Sequence, residues 1–315
     1  MKINSLKDIL IKAESVLVIG HVRPDGDCLG AGLAIYFACK NLSIPCDFVC
    51  DSDQLPLAYS FMDGFSNVNI TTQTYYDTAI AVDCGATDRL GKFYDTFKKA
   101  KVSVNIDHHP GNPLFAKINI VENIAAATCE IMAKLMLDDG LVDKQIAESL
   151  LVGLSTDTGH FIHSSVRKEV FELVAKLQLF DVDYQKIVGG LYKSYTINQN
   201  KLLAKVVGSA RYFNDDTVGI MFISQEDLDE CGCGIFDTEG LIGYIMRVGT
   251  VEVGAYICEF GKDKYKVGFR SRGKNVNEAA MVFGGGGHKH ASGCMVFGKK
   301  EDVIDKVKKS LTDLF

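Results

Sequence analysis

VLVIGHVRPDGD, Val16–Asp27, is the stretch whose reading decides the fold. Its five apolar residues, Val16–Gly20, have the length and character of a fully buried strand. Polarity then switches abruptly to His21, Arg23, Asp25 and Asp27. The next segment, LGAGLAIYFACKN (Leu29–Asn41), has helical character and enough small residues to pack closely. Working outward, Cys46–Cys50, Thr78–Val82 and Val102–Ile106 read as further strands, and Ala126–Leu137, Asp143–Leu154 and Arg167–Phe180 as helices. Alternation of this kind predicts an α/β domain with a mainly parallel sheet flanked by helices.

At 315 residues the chain has room for two domains. The polar stretch GGLYKSYTINQNK, residues 189–201, reads as the connector. The expected organisation is a catalytic domain over 1–188, a linker over 189–209 and a smaller α+β domain over 210–315, with the active site in the cleft between the domains. In the second part Ala210–Phe213, Val218–Ile223, Val251–Glu259 and Tyr265–Ser271 read as strands, and Thr238–Val248 as a helix.

Composition narrows the function classes. No uncharged apolar run approaches the roughly 18 residues of a membrane span, and Lys7, Asp8, Lys12 and Glu14 interrupt every apolar stretch at the start. Ten cysteines scattered through a long chain suggest reduced thiols in a cytoplasmic protein. Residues 1–250 carry a net charge of −10 and residues 251–315 a net of +4. That balance excludes the broad basic face of a duplex-DNA binder and suits a small anionic substrate.

The chemistry sits where the strands end. VLVIG runs into His21, Asp25 and Asp27; TAIAV into Asp83; VSVNI into Asp107, His108 and His109. A fourth cluster, STDTGHF, places Asp157 between two helices. In an open α/β sheet, ligands bind outside the carboxyl ends of the strands, so motifs remote in sequence converge there. One Asp at a strand end is more often a helix cap than a ligand; four clusters on one edge point to metal. Mixed carboxylate and imidazole ligands suit Mn2+, Zn2+ or Fe2+ better than Ca2+. Two such ions can lower the pKa of a bound water and clamp the oxygens of a phosphate.

Further along, Gly284–Gly287 precede His288, and four residues without Cβ let backbone N–H groups approach an anion. No Lys-Ser/Thr pair follows at P-loop spacing. Arg270 lies on a neighbouring predicted strand, with Arg272 just past its end. Two blander features are Cys231 and Cys233, read as thiols in a turn, and His160 and His163, read as structural.

On these residues the chain resembles the DHH phosphoesterase family, whose name matches Asp107-His108-His109, with VNEAAMVFGGGGHKHASG, Val276–Gly293, resembling the signature of its associated C-terminal domain. The resemblance implies that His21, Asp25 and Asp83 hold one ion and Asp27, Asp83, His108 and Asp157 a second, with Asp83 bridging. It implies His109 as a catalytic histidine facing the substrate and Asp107 as its orienting partner. Arg270, Gly285, Gly286, Gly287 and His288 would bind substrate, with Arg23 a further phosphate contact. The two-domain form is similar to enzymes that degrade nanoRNA to mononucleotides and dephosphorylate pAp; a phosphodiesterase for cyclic di-AMP or pApA shares the architecture. The implied cofactors are two divalent metal ions, Mn2+ first, with Mg2+ or Co2+ as alternatives. The implied partners are short RNA or nucleotides, with no membrane, and a homodimer is left open.

Overall fold

The structure, a computed structural model, describes residues 5–192, 196–238 and 240–315. The chain divides into two units, Met1–Ser194 and Tyr195–Phe315.

The first unit is built on strands β1 (Val16–Gly20), β2 (Cys46–Cys50), β3 (Thr78–Val82), β4 (Val102–Asp107) and β5 (Ile118–Val121). All pair in parallel, in the order β2-β1-β3-β4-β5. Parallel strands need crossovers that cover both faces, which is why β1 and all of β3 after Thr78 are apolar and both strands are buried at every residue. Helices α1 (Leu6–Leu10), α2 (Gly26–Asn41), α4 (Thr128–Asp138), α5 (Lys144–Asp157) and α6 (Lys168–Leu177) share one core with Val18, Ile80 and Ile106. The alternate residues Leu17, Ile19, Ala79 and Ala81 pack instead with Leu90 and with Phe97 of α3 (Tyr94–Lys99). Helix α7 (Tyr184–Tyr192) closes the unit.

Helix α2 is buried almost all round, between the sheet and α5, with 13 of its 16 residues out of solvent. Its small residues allow this. A Cβ on Gly30 would lie 2.4 Å from the Ser149 carbonyl oxygen of α5, and one on Gly32 would lie 2.1 Å from the Phe48 ring of β2. The helix begins three residues before the predicted Leu29 because Asp25 caps it, its Oδ1 accepting from the Asp27 and Cys28 N–H groups. Strand β5 was not predicted: it is a half-buried edge strand of four residues, too short to carry a hydrophobic pattern.

The second unit holds a six-stranded mixed sheet of β6 (Arg211–Phe213), β7 (Val218–Ile223), β8 (Val253–Glu259), β9 (Lys264–Ser271), β10 (Gly286–His288) and β11 (Ala291–Phe297), in the order β10-β11-β9-β8-β7-β6. Only β7 and β8 pair in parallel. Helices α11 (Val276–Met281) and α12 (Lys300–Thr312) share a core with Val253, Ile257, Val267 and Phe269. Helices α8 (Ile197–Gly208), α9 (Gln225–Cys231) and α10 (Ile242–Ile245) pack with Met221, Ile223 and Tyr256 in a second.

The polar stretch read as a connector is largely helical in the described residues. Gly189–Tyr192 finish α7, and Thr196 opens α8 with a capping box completed by Gln199. Polar side chains that resemble a linker in sequence are here helix caps and exposed helix faces. The helix predicted over Thr238–Val248 shrinks to α10, since Gly240 takes a positive φ of 79° just before it.

Helix propensity favours Gly30→Ala by about 0.5–1 kcal/mol, but the clash with a backbone oxygen forces α2 and α5 apart, and overpacking costs about 1–3 kcal/mol. The variant is expected to unfold at lower urea concentration, with unchanged slope, when followed by far-ultraviolet circular dichroism. A midpoint at or above that of the wild type would show that the two helices can separate at no cost.

Candidate metal centre at the carboxyl edge of the parallel sheet

The strand order reverses direction at β1, with β2 on one side and β3 on the other. The crevice beyond such a switch point is where open α/β sheets bind ligands. His21 leaves the end of β1, Asp83 the end of β3, and Asp107 ends β4, with His108 and His109 following. Asp157 is the last residue of α5 rather than part of an interhelical loop, because the helix runs past the predicted Leu154.

These residues form three overlapping groups: His21, Asp25 and Asp83; Asp27, His108 and Asp157; and Asp83, His108 and His109. Within each group one ligand atom per residue lies within 4.8 Å of the others. His21 Nε2 is 3.6 Å from Asp25 Oδ1 and 3.4 Å from Asp83 Oδ2. His108 Nε2 is 3.2 Å from Asp157 Oδ2 and 3.7 Å from Asp83 Oδ1. Asp83 thus offers one oxygen toward His21 and the other toward His108. It is 2 % exposed and sits at φ 58°, a left-handed conformation that few non-glycine residues adopt.

The surroundings explain how these acids are held. Asp27 is fully buried; its Oδ2 accepts from the Thr128 N–H and its Oδ1 from the Cys129 N–H at the start of α4. Thr128 Oγ1 donates to Asp83 Oδ1 at 2.9 Å. His108 Nδ1 faces the Ala125 carbonyl at 3.2 Å, a contact that places the proton on Nδ1 and turns Nε2 to the centre. Asp107 accepts from His109 Nδ1 at 2.8 Å and from Asn112 Nδ2 at 2.6 Å, and Asn112 also reaches Asn105 Oδ1.

Charge is out of balance without a cation. Burial, then the nearby Asp157 and Asp83, push the Asp27 carboxyl well above the usual carboxylate range. Burial likewise raises Asp157. Burial alone would lower His108, yet Asp157, Asp27 and Asp83 raise it to about 10. Burial also opposes charge on His21, but Cys28, Asp25 and Asp83 raise it to about 12. Close-packed acids that recruit protons, with imidazole Nε2 atoms aimed among them, form a donor set that fits divalent ions.

Other sequence expectations fall elsewhere. Arg23 is exposed, at φ 57°, and outside the three groups. Arg270 lies on β9, paired in register with Ala291 of β11, and its Nη1 donates to the Phe269 carbonyl. Gly286 and Gly287 form β10 with His288, whose side chain lies outside the described residues. A Cβ on Gly285 would meet the Gly293 oxygen at 2.3 Å, so this glycine serves close packing. The Asn277 Oδ1 beside this strand is buried and has no hydrogen-bond partner among the described residues. Arg272 ties down the Met246, Val248 and Gly249 carbonyls. His160 bonds Ser155 Oγ, and all ten cysteines are free thiols. Sequence reading missed Thr128, Asn112, Asn105 and Arg89, whose Nη2 lies 3.0 Å from His21 Nδ1. Only Asn105, a polar residue within a buried strand, carried a visible signal.

A parallel sheet whose carboxyl edge gathers carboxylates and imidazoles into overlapping groups able to hold cations suits metal-dependent phosphoester hydrolysis. The chain belongs to the DHH family: it matches the DHH family, N-terminal domain, over residues 15–154 and the DHHA1 domain over residues 238–315. It is 27 % identical to the bifunctional oligoribonuclease and PAP phosphatase NrnA of Mycoplasma genitalium, covering 98 % of this chain and 96 % of that protein. It is also 27 % identical to the protein of the same name from Thermus thermophilus, covering 99 % and 95 %. The crystal structure of an exopolyphosphatase-related protein from Bacteroides fragilis shares the fold at a TM-score of 0.90 and 22 % identity, covering 98 % of this chain and 94 % of that one. Among the described residues no helix is long and apolar enough to cross a membrane.

Metal uptake should release protons, because ligand nitrogens must give them up. With His108 raised to about 10 and His21 to about 12, both imidazoles are charged near neutrality. Calorimetry in buffers of different ionisation enthalpy is expected to find protons released on loading near pH 7.5, with affinity rising as pH rises. Affinity independent of pH between 6 and 8 would contradict these protonation states.

Proposed function

We propose that this protein hydrolyses short oligoribonucleotides to mononucleotides and removes phosphate from pAp, using two divalent ions, manganese foremost. The observation that carries the reading is Asp83, whose two oxygens face two separate ligand groups. His21, Asp25 and Asp83 would hold one ion, and Asp27, Asp83, His108 and Asp157 the other. Bound there, such ions supply an acidified water and neutralise the charge of a phosphoryl group. The names of the two NrnA relatives, matched along nearly their full length, support oligoribonucleotides and pAp as the substrates.

The chain's own groups take the remaining tasks. His109 is held through Nδ1 by Asp107, whose hydrogen bond raises the imidazole pKa. Burial alone would raise Asp107, but His109 and Asn112 hold it low, as a lasting carboxylate partner. His109 Nε2 is the atom assigned to donate a proton to the departing oxygen. In the second unit, Arg270, Gly285–Gly287 and His288 are assigned to the nucleotide. Arg23 is assigned to phosphate.

A manganese-supported assay across pAp, di- to pentanucleotides of RNA and DNA, pApA, cyclic di-AMP and pyrophosphate tests the substrate class. Short RNA and pAp are expected to show the highest kcat/KM; a dominant rate on cyclic di-AMP or pyrophosphate would overturn the assignment. Asp107→Asn should lower kcat by about 100-fold with little change in KM, the usual scale of one proton-transfer group. Arg270→Ala should raise KM for nucleotides while sparing an aryl phosphodiester; equal losses on both would assign Arg270 to the fold.

A further inference from the structure

The second unit carries a groove far from its glycine strand. The groove lies at the β6 edge of the six-stranded sheet, and β10 forms the opposite edge, roughly 24 Å away at ordinary strand spacing. Its volume is about 450 Å³, within the range of small-molecule sites. Phe213 of β6, Ile220 and Phe222 of β7 and Ile304 of α12 make an apolar floor. Lys205, Arg211 and Lys300 stand around it, against one acid, Asp227.

These cations are of two kinds. Lys205 Nζ lies 3.1 Å from Asp227 Oδ1 and also pairs with Glu230, tying α8 to α9. Asp227 is occupied in turn by Lys205 and by the Ser224 N–H. Among the described residues, Arg211 and Lys300 have neither a carboxylate within 4.0 Å nor a side-chain hydrogen-bond partner. Lys300 rests over the Phe222 ring, 3.9 Å from its centroid, and Lys308 over Phe213 at 4.4 Å. Lys300, Ile304 and Lys308 share one face of α12, which presents a cation, an apolar side chain and a second cation toward β6 and β7. The frame beneath is fixed: Ser209 Oγ accepts from the Phe222 N–H at 3.0 Å, fastening the end of α8 to β7.

A fitting ligand brings a flat apolar body to the two rings and an anion to the unpaired guanidinium. The lysine ammonium groups sit on long stems and can leave the rings to follow that anion, because no ion pair holds them. Phosphate alone would leave the floor wet, and an uncharged ring would leave Arg211 and Lys300 without a partner. We propose that this groove is a second nucleotide site, taking a nucleoside monophosphate with its base on Phe213 and Phe222 and its phosphate held by Arg211 and Lys300. A mononucleotide is the product class of the hydrolysis proposed above, and the choice of nucleotide rests on that reading. The charge and shape of the groove do not.

In the competing account Lys300 and Lys308 only cover apolar rings. The full chain, methyl-labelled at isoleucine, is titrated with 5′-AMP, adenosine and inorganic phosphate and followed by nuclear magnetic resonance. Ile220→Val and Ile304→Val assign the two groove signals. 5′-AMP is expected to shift both saturably, and adenosine or phosphate to shift them far less. In the double variant Arg211→Gln, Lys300→Met the methionine keeps the cover and drops the charge. Its midpoint for 5′-AMP should rise by about 10- to 100-fold, the scale of charge-assisted contacts, with hydrolysis of an aryl phosphodiester unchanged. Groove signals unmoved by 5′-AMP, a midpoint unchanged in the double variant, or phosphate acting as well as 5′-AMP would each overturn the proposal. So would a matching loss of aryl phosphodiester hydrolysis, which would place these cations in the catalytic machinery. If the double variant lacks the wild-type methyl spectrum, Lys300→Met alone decides, and an unchanged midpoint counts against the site. Turnover of phosphoesters with silent groove signals defeats the groove alone. Saturable groove shifts in a protein that cleaves no phosphoester defeat the broader reading instead.

Discussion

Four carboxylates, from Asp25, Asp27, Asp83 and Asp157, crowd one end of a parallel sheet, and the first unit is arranged around keeping them there. Like charges in a poorly hydrated pocket repel strongly. The fold answers with two helix N-termini: Asp25 caps α2 and Asp27 receives two N–H groups at the start of α4. Each is a place where a helix presents partial positive charge. The imidazoles of His21 and His108 lie between the acids, and backbone carbonyls hold their far nitrogens. Asp25 is thus both a helix cap and a member of a group able to hold a cation.

This double use ties the site to the core. Helix α2 carries Asp25 as its cap and Asp27 in its first turn, and it can lie between the sheet and α5 only because Gly30 and Gly32 bring no side chain to the contact. Helix α5 ends on Asp157, so the distance between the α2 and α5 axes also sets the separation of two acids. Packing in the interior and geometry at the edge are one problem here, and a change of a single methyl group in the first is felt in the second.

Much of this was legible in sequence, for reasons that can be named. β1 and β3 are central and buried on both faces, so their runs of apolar residues stand out, and each ends abruptly at His21 or Asp83. The candidate ligands were visible because acids and histidines at strand ends are costly without a purpose. What escaped was whatever depended on tertiary partners. Thr128 and Asn112 are ordinary polar residues until Asp83 and Asp107 lie beside them. Arg89 gains meaning only from its contact with a ring contributed by another strand. β5 and β10 are short edge strands, and the stretch around Thr196 looked like a linker because a capping box and a loop use the same polar alphabet.

Asp83 adds one last consequence. Its backbone lies in the left-handed region, where Asp and Asn are tolerated far better than other side-chain-bearing residues, and its carboxylate must face two ligand groups at once. Glutamate could reach a cation but fits that backbone poorly; alanine fits neither demand. The vocabulary open to this position shrinks to two words that differ by one atom. Descent from catalyst to silent nucleotide receptor, in a lineage built on this scaffold, has its shortest route through the exchange of a single oxygen for an amide nitrogen, with the architecture left standing.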